Sequence, residues 1–277
     1  MVRNCFTVDV EEWFHVCGVG GPLACEHWND LPGRVEQTTR DLLDLVDACG
    51  VRGTFFVLTW NAERHPDIVR RIVAAGHEIA SHGYAHRLIY EQTPETFRDD
   101  ITRAKATLED ITGTAVLGYR APSASVTPRS LWALDVLLDV GLRYDSSIFP
   151  IRDTLYGLPD ADRFPHVIRR RDGRELLEFP LATTRLFGRN VPLAGGGWLR
   201  VFPYRYTRWA MRRVNREGHP AVAFVHPWEL DPEQPRMRTA GRRGFSTHYV
   251  GLRGTYGKLR RLFRDFRFAP LRDVLGL

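Results

Sequence analysis

Hydrophobic and polar positions alternate in two rhythms along the first half of the chain. Short runs rich in β-branched and aromatic residues, such as CFTVDV at 5–10 and GTFFVL at 53–58, predict buried strands. Between them, residues 35–49 predict an amphipathic helix that ends at Gly50. The alternation continues with helices at HPDIVRRIVAAG, PETFRDDITRAKATLEDITG (started by Pro94, ended at Gly113) and PRSLWALDVLLDVG, and with strands at HEIASHG, AVLGYRAP and LRYDSSIF. Such βαβ units predict a parallel sheet with right-handed crossovers, either as a barrel or as a doubly wound sheet.

The rhythm changes after Pro150. Shorter apolar stretches broken by turns occupy residues 150–205, before YTRWAMRRVNREG predicts a helix and PAVAFVHPWEL a strand. Near the C-terminus, YGKLRRLFRDF spaces its leucines and phenylalanines on one helical face and leaves arginines on the other. This segment therefore predicts an amphipathic helix with a basic outer face.

Composition indicates an ordinary globular protein. The 277 residues are 43% hydrophobic and 26% charged, which is enough for a full core. The four cysteines, Cys5, Cys17, Cys25 and Cys49, form no CxxC pair, so we expect reduced thiols rather than a disulfide framework or a cysteine zinc site. No apolar run reaches about 18 residues and the first residues lack the apolar segment of a secretory signal, so we expect a cytoplasmic protein.

Positive charge is concentrated at the end of the chain. The formal net charge is +6, and beyond Arg236 the only acids are Asp265 and Asp273. Such a surface is suited to nucleic acid, anionic lipid or an acidic polymer, and composition alone does not choose among them.

Two acids interrupt the first predicted strand. Asp9 and Glu11 lie two residues apart, so their side chains leave the strand on the same face. Two neighbouring carboxylates in a buried strand are costly without a partner. Their presence predicts a functional site.

A histidine pair provides a partner for these acids. His82 and His86 are four residues apart, a spacing that can aim both imidazoles at one point, although hydrogen-bonded structural histidines are the commoner case. If the strands carrying Asp9 and His82 share a parallel sheet, their carboxyl ends meet at one edge. Two imidazoles and one carboxylate form a typical catalytic metal site, and the second carboxylate is then free to act as a base.

Four motifs in order resemble a known family. They are the acid pair VDVE, S-H-x-x-x-H at Ser81 to His86, R-x-P at Arg120, and an apolar residue two positions before His226. Together they resemble the polysaccharide deacetylases of the NodB-homology type, carbohydrate esterase family four, over residues 5–230. The segments DVEEWFH, SHGYAH, YDSSIFP and FVHPWELD are similar to the sequences of the subgroup found with exopolysaccharide and PEP-CTERM gene clusters.

The resemblance implies an α/β fold, a distorted (β/α) barrel. We expect a catalytic barrel over 1–230 with an irregular insertion at 150–205, and a basic C-terminal extension over 231–277 packed on the barrel. The implied reaction is metal-dependent removal of acetyl from N-acetylhexosamine units of a polysaccharide, an oligosaccharide or a lipid-linked precursor. The implied cofactor is a divalent metal ion, with zinc as the first expectation.

Catalytic roles carry over by position. Asp9 corresponds to the general base, Arg120 to the residue that steadies it, and His226 to the general acid. The metal ligands correspond to His82 and His86, and Glu11 takes the third place by the strand-face argument, because much of the family has two adjacent aspartates where this chain has Val10 between its acids. Asp145 is the candidate for orienting His226. Taken alone, an arginine such as Arg120 more often forms a surface ion pair, an aspartate such as Asp145 is more often a turn residue, and a histidine such as His226 is more often a core residue.

Substrate contacts are expected from three further residues. The backbone N–H of Ser123 is a candidate donor to the oxyanion of the tetrahedral intermediate. Trp198 and Trp228 are candidates for stacking on sugar faces, with core packing as the equal alternative.

Two rival functions remain open from the sequence. One is a metal-independent C–N hydrolase of the allantoinase-like branch. The other is a non-catalytic protein that binds glycan or membrane through its basic tail. We expect the basic tail to contact an anionic membrane surface or an acidic glycan. Contact with a membrane would place the protein at the periphery of the inner membrane. We expect no nucleic acid partner.

Overall fold

The strands of the protein form one large sheet and one separate hairpin. The computed structural model describes residues 2–16, 25–153, 156–236 and 248–277. In this part of the chain the strands are β1 (Arg3–Val10), β2 (Thr54–Val57), β3 (Glu78–Ser81), β4 (Gly118–Tyr119), β5 (Tyr144–Asp145), β6 (His166–Arg171), β7 (Arg174–Glu178), β8 (Thr183–Leu186), β9 (Arg189–Pro192), β10 (Val222–Val225) and β11 (Arg267–Ala269).

Helices connect and cover these strands. They are α1 (Val35–Ala48), α2 (Thr59–Arg64), α3 (Pro66–Ala74), α4 (Pro94–Thr112), α5 (Ala133–Asp139), α6 (Gly196–Val201), α7 (Tyr204–Arg216), α8 (Leu252–Asp265) and α9 (Leu271–Leu275), with short 3₁₀ turns at Cys25–Asp30, Ile89–Glu91, Pro122–Ala124 and Pro227–Leu230. No helix in the described ranges is long and apolar enough to cross a membrane.

The large sheet follows the order β10-β1-β2-β3-β4-β5-β7-β6 and is curled into an incomplete barrel. Every neighbouring pair is parallel except the β6–β7 hairpin. The predicted distorted (β/α) barrel is therefore confirmed, and the doubly wound alternative is not adopted. Because β1 lies between β10 and β2, its carboxyl end faces the ends of strands from both halves of the chain.

The helix limits follow from local chemistry. Helix α4 begins at Pro94, where Thr93 Oγ1 accepts a hydrogen bond from the backbone N–H of Thr96. It ends at Gly113, whose φ of 65° is the left-handed conformation that glycine adopts at little cost. Both ends match the sequence prediction.

The second half of the chain is more regular than its sequence pattern indicates. Residues 150–205, expected as an irregular insertion, contain the β6–β7 hairpin, which continues the large sheet, and the separate β8–β9 hairpin. These strands have mixed burial rather than a clean alternation of apolar and polar residues, so the period of two was not visible in the sequence.

The C-terminal extension belongs to the sheet. Strand β11 pairs in parallel with the start of β1, and the backbone N–H of Leu271 donates to Oγ1 of Thr54 at 2.8 Å. Helix α8 has the predicted apolar face, and Phe263 meets Phe6 of β1 edge to face at 4.9 Å. The sequence predicts an extension packed on the barrel but not the pairing of β11 with β1, because a three-residue strand carries too little pattern.

One of the cysteines is part of the hydrophobic core. Cys5 is buried within β1, and burial raises its pKa well above the usual range. Cys25 and Cys49 are also free, whereas Cys17 lies outside the described residues.

Close packing at Gly118 yields a stability prediction. A Cβ atom at this position would lie 1.9 Å from Cζ of Tyr144, a fully buried ring whose hydroxyl donates to Glu78. Gly118→Ala is therefore expected to lower the free energy of unfolding by about 1–3 kcal/mol, measured by urea titration.

Gly257 provides the matched control. It lies inside α8, and a Cβ there would meet nothing within 4 Å. Gly257→Ala is expected to raise the free energy of unfolding by about 0.5–1 kcal/mol, because alanine loses less backbone entropy on folding. Equal effects of the two substitutions would contradict the packing described at Gly118.

Candidate active site

A buried ion pair fixes the first acid. Asp9 is 4% exposed at the end of β1, and its Oδ1 accepts a hydrogen bond from Nη1 of Arg120 at 2.8 Å. The guanidinium also donates to Thr7 Oγ1, to the backbone oxygen of Ser146 and to Ser146 Oγ. Because its donors reach β1 and the end of β5 together, Arg120 holds Asp9 in one orientation.

The second acid faces two imidazoles. Oε1 of Glu11 lies 2.8 Å from Nε2 of His82 and 3.0 Å from Nε2 of His86. Nδ1 of His82 donates to the backbone oxygen of Arg120 at 2.8 Å, so neutral His82 presents a lone pair at Nε2. A lone pair and a carboxylate oxygen repel each other unless a proton or a cation lies between them. The donor set therefore fits a bound cation.

His86 reaches this cluster from an unusual backbone conformation. Its φ is 53°, in the left-handed region, which costs a non-glycine residue on the order of 1–3 kcal/mol. One atom each from Glu11, His82 and His86 lie within 4.8 Å of one another, the geometry of a three-ligand metal site.

Electrostatics keep Glu11 ionised. Burial opposes its charge, but the nearby imidazoles of His86, His226 and His82 outweigh this effect and hold the pKa of Glu11 well below its usual range. A permanently charged carboxylate is the form that binds a metal ion.

His226 completes the site from the opposite side. It follows β10, and its Nε2 lies 3.9 Å from Oδ2 of Asp9 and 3.8 Å from Oε2 of Glu11. Its ring stacks on Trp228 with centroids 4.9 Å apart. Although burial disfavours the imidazolium, the carboxylates of Glu11, Glu229 and Asp9 raise the pKa of His226 to about 9.

Glu229, and not Asp145, orients His226. Oε1 of Glu229 lies 2.8 Å from Nδ1 of His226 and also accepts the backbone N–H of His226. Sequence reasoning missed this residue, although the spacing of His226 and Glu229 in HPWE is that of a helix capping box.

Asp145 has a different environment. It lies on β5, four strands away from β1 in the sheet, so the expectation that it contacts His226 is wrong. Asp145 accepts a hydrogen bond from Ser147 Oγ and shares another with Glu178. Burial raises the pKa of Asp145 to about 6 and, together with the charge of Asp145, raises the pKa of Glu178 well above its usual range. The two carboxyl groups therefore hold a proton between them behind the loop that contacts Arg120.

Arg200 supports Glu229 and was also missed from the sequence. Its Nε contacts Oε2 of Glu229 at 2.5 Å, and its Nη1 donates to the backbone oxygens of His248 and Val250. Both side chains are buried, so each charge depends on the other. The chain Arg200–Glu229–His226 fixes the ring of the histidine.

A cavity of about 350 Å³ opens above these groups. Asp9, Glu11, Arg120 and His226 line it together with six largely apolar residues: Leu88, Tyr90, Phe149, Tyr156, Leu181 and Phe224.

All three residues expected to contact substrate also line the cavity. Ser123 is exposed with a φ of 50°, Trp198 is 36% exposed, and Trp228 is buried. Their positions allow contact with a bound molecule, and their roles remain predictions.

Family comparisons divide the chain near residue 145. Residues 26–144 match the polysaccharide deacetylase family, and residues 146–276 match a domain of unknown function (DUF3473). The family match over residues 26–144 confirms the resemblance seen in the motifs. The subgroup stays a prediction.

Curated relatives match only part of the chain. Peptidoglycan-N-acetylglucosamine deacetylase of Bacillus cereus is 33% identical over 98 residues, which is 35% of this chain and 36% of that protein. Chitooligosaccharide deacetylase of Bradyrhizobium sp. is 30% identical over 99 residues, 36% of this chain and 43% of that protein. The matched segments thus span less than half the length of these relatives.

Solved structures share the fold over nearly the whole chain. A Mycobacterium smegmatis protein assigned as a polysaccharide deacetylase has a TM-score of 0.66 at 22% identity, covering 99% of this chain and 88% of that one. Puue allantoinase has a TM-score of 0.64 at 17% identity, covering 99% and 89%. At these identities the likeness concerns the fold alone.

The environment of His226 yields a titration prediction. In metal-free protein, NMR of the imidazole nitrogens is expected to show His226 titrating near pH 9. Glu229→Gln is expected to lower this pKa, because it removes an adjacent negative charge. The raised pKa means that His226 stabilises the fold below its unfolded pKa of about 6.5 and that this contribution is lost as pH rises towards 9.

Asp145→Asn is the control for this titration. Because Asp145 makes its hydrogen bonds elsewhere, the substitution is expected to leave the pKa of His226 almost unchanged. A large shift in Asp145→Asn with none in Glu229→Gln would restore Asp145 as the orienting residue.

Proposed function

We propose that the protein is a metal-dependent N-deacetylase of a glycan that contains N-acetylhexosamine. The observation that supports this most is the convergence of Glu11 Oε1, His82 Nε2 and His86 Nε2 on one point, beside a separate Asp9–Arg120 pair and opposite His226. A cation-binding group, a base and an acid thus line one cavity.

Glu11, His82 and His86 would hold the ion. Two imidazole nitrogens and one carboxylate oxygen are the ligand set of many catalytic zinc sites, which keep a further position open. When bound there, a divalent ion supplies Lewis acidity, which polarises a carbonyl and makes nearby water more acidic.

Asp9 would take the proton from the attacking water. Arg120 holds this carboxylate in one orientation, in which its free oxygen, Oδ2, lies 3.9 Å from Nε2 of His226. His226 would then protonate the departing amine, which an amide requires because an amide anion is a very poor leaving group. Glu229 and Arg200 would act by orienting His226.

The substrate class is inferred from chemistry and from the named relatives. Those relatives act on peptidoglycan N-acetylglucosamine and on chitooligosaccharides. In this chain Trp198 offers a ring surface to a sugar, and the N–H of Ser123 is a candidate oxyanion donor. Trp228 lines the cavity, but it is 7% exposed and its ring stacks on both His226 and His248, so its stacking role is the less favoured of the two. A polysaccharide, an oligosaccharide and a lipid-linked precursor all share the required N-acetyl group.

The ligand assignment predicts a loss of metal binding. His82→Ala and His86→Ala are each expected to lower zinc affinity by more than about 100-fold, since replacement of even a supporting residue costs about 10–100-fold. Equilibrium dialysis with elemental analysis measures the effect, with His166→Ala as the control because His166 bonds only the backbone of Phe164.

Full zinc occupancy in both ligand variants would contradict the assignment. Undiminished activity after complete chelation would instead favour a metal-independent C–N hydrolase of the allantoinase-like branch.

The two acids are expected to differ in role. Asp9→Asn should retain zinc but lower acetate release by about 10²–10⁴-fold, because an amide cannot accept the proton. Glu11→Gln should lose zinc first. Acetate release is measured on a panel of N-acetylated sugars and oligosaccharides. If the variants exchange these behaviours, Asp9 is the ligand and Glu11 the base; if the wild type releases no acetate from any member, the proposed function fails.

A further inference from the structure

A row of four aromatic side chains leads away from the cavity. Trp198 stacks on Phe202 with ring centroids 5.4 Å apart, Phe202 meets Tyr206 at 4.5 Å, and Tyr206 meets Trp209 at 6.0 Å. Trp198 lies on α6, Phe202 lies in the extended connection between the two helices, and Tyr206 and Trp209 lie three residues apart on α7. We call these four residues the aromatic row.

The aromatic row is a surface feature and not part of the core. Its ends, Trp198 and Trp209, are 36% and 42% exposed, and Trp198 lines the catalytic cavity. The buried face of α7 is made by other residues, namely Thr207, Ala210, Met211 and Val214. The exposed rings at the two ends of the row are therefore not accounted for by core packing, whereas Tyr206 partly packs on the core.

Positive charge follows the same stripe of α7. Arg205, Arg212 and Arg216 are exposed and share a helical face with Trp209. None of the three forms an ion pair with a residue in the described ranges, whereas neighbouring Arg208 is paired with Asp265. The surface thus combines ring faces with unpaired guanidinium groups.

We propose that the aromatic row and these three arginines form a binding site for an acidic glycan chain whose end enters the catalytic cavity. Pyranose rings present C–H faces that pack on aromatic rings, and guanidinium groups pair with carboxylates. A glycan is favoured over a lipid surface because the row begins inside the cavity and its central rings, Phe202 and Tyr206, are half-buried rather than projecting. The inference rests on the proposed function for the identity of the cavity, but binding itself requires no turnover.

Calorimetry with two defined probes tests this site. The acidic probe is a heparosan hexasaccharide, which alternates N-acetylglucosamine and glucuronate, and the neutral probe is chitohexaose. Trp209→Ala is expected to weaken binding of both probes by about two- to tenfold. Arg212→Gln with Arg216→Gln is expected to weaken binding of the acidic probe only and to reduce its salt dependence.

Tyr256→Ala is the matched control. Tyr256 is 49% exposed but lies on α8 outside the aromatic row, so its loss should leave both affinities unchanged. Circular dichroism confirms that each variant is folded.

Three outcomes would overturn the proposal. They are absence of acidic-probe binding by the wild type, equal affinity in wild type and Trp209→Ala, and loss of binding to phosphatidylglycerol vesicles in the variants while probe binding is unchanged, which would make the surface a membrane contact. If the probes bind as expected and no acetate is released, the glycan site stands and only the proposed function fails.

Discussion

Two buried carboxylates at the carboxyl end of β1 impose the main constraint on this structure. An unpaired buried charge costs several kcal/mol, and two adjacent ones repel each other as well. Asp9 and Glu11 avoid this cost by taking different partners, a guanidinium for Asp9 and two imidazoles for Glu11. Glu12, the next residue, has a third arrangement, because its carboxylate accepts backbone N–H groups at the start of α1. Each acid is thus tied to a different element, and β1 becomes the point at which these elements meet.

The region of unknown function is an integral half of the site. The family matches meet near residue 145, but the sheet crosses this limit three times, where β5 pairs with β7 and where β1 pairs with β10 and with β11. His226, Glu229 and Arg200 all come from the second region. The deacetylase-like region supplies the imidazoles of the cation cluster and the arginine that orders Asp9. Neither region encloses the cavity alone.

Periodicity predicted the parallel sheet of βαβ units because strands and helices have local sequence patterns, and the family resemblance implied the barrel. The sequence predicted that Glu11 and His82 lie close together, because parallel strands place their carboxyl ends at one edge of the sheet. The Asp145 assignment failed because it rested on motif position alone: β5 lies four strands from β1, whereas the turn after β10 places Glu229 beside His226. Arg200 reaches Glu229 through folding of a glycine-rich stretch that has no periodic signal. The strand β11 was missed because three residues are too few to show alternation.

The division between the two acids is the central claim, and crystals grown with zinc test it directly. Anomalous scattering at the zinc edge is predicted to show one ion bound to Glu11, His82 Nε2 and His86 Nε2, with zinc–nitrogen distances of about 2.0–2.1 Å and Asp9 still paired with Arg120. An ion bound by Asp9 in place of Glu11, or no ion between the two histidines, would contradict this account.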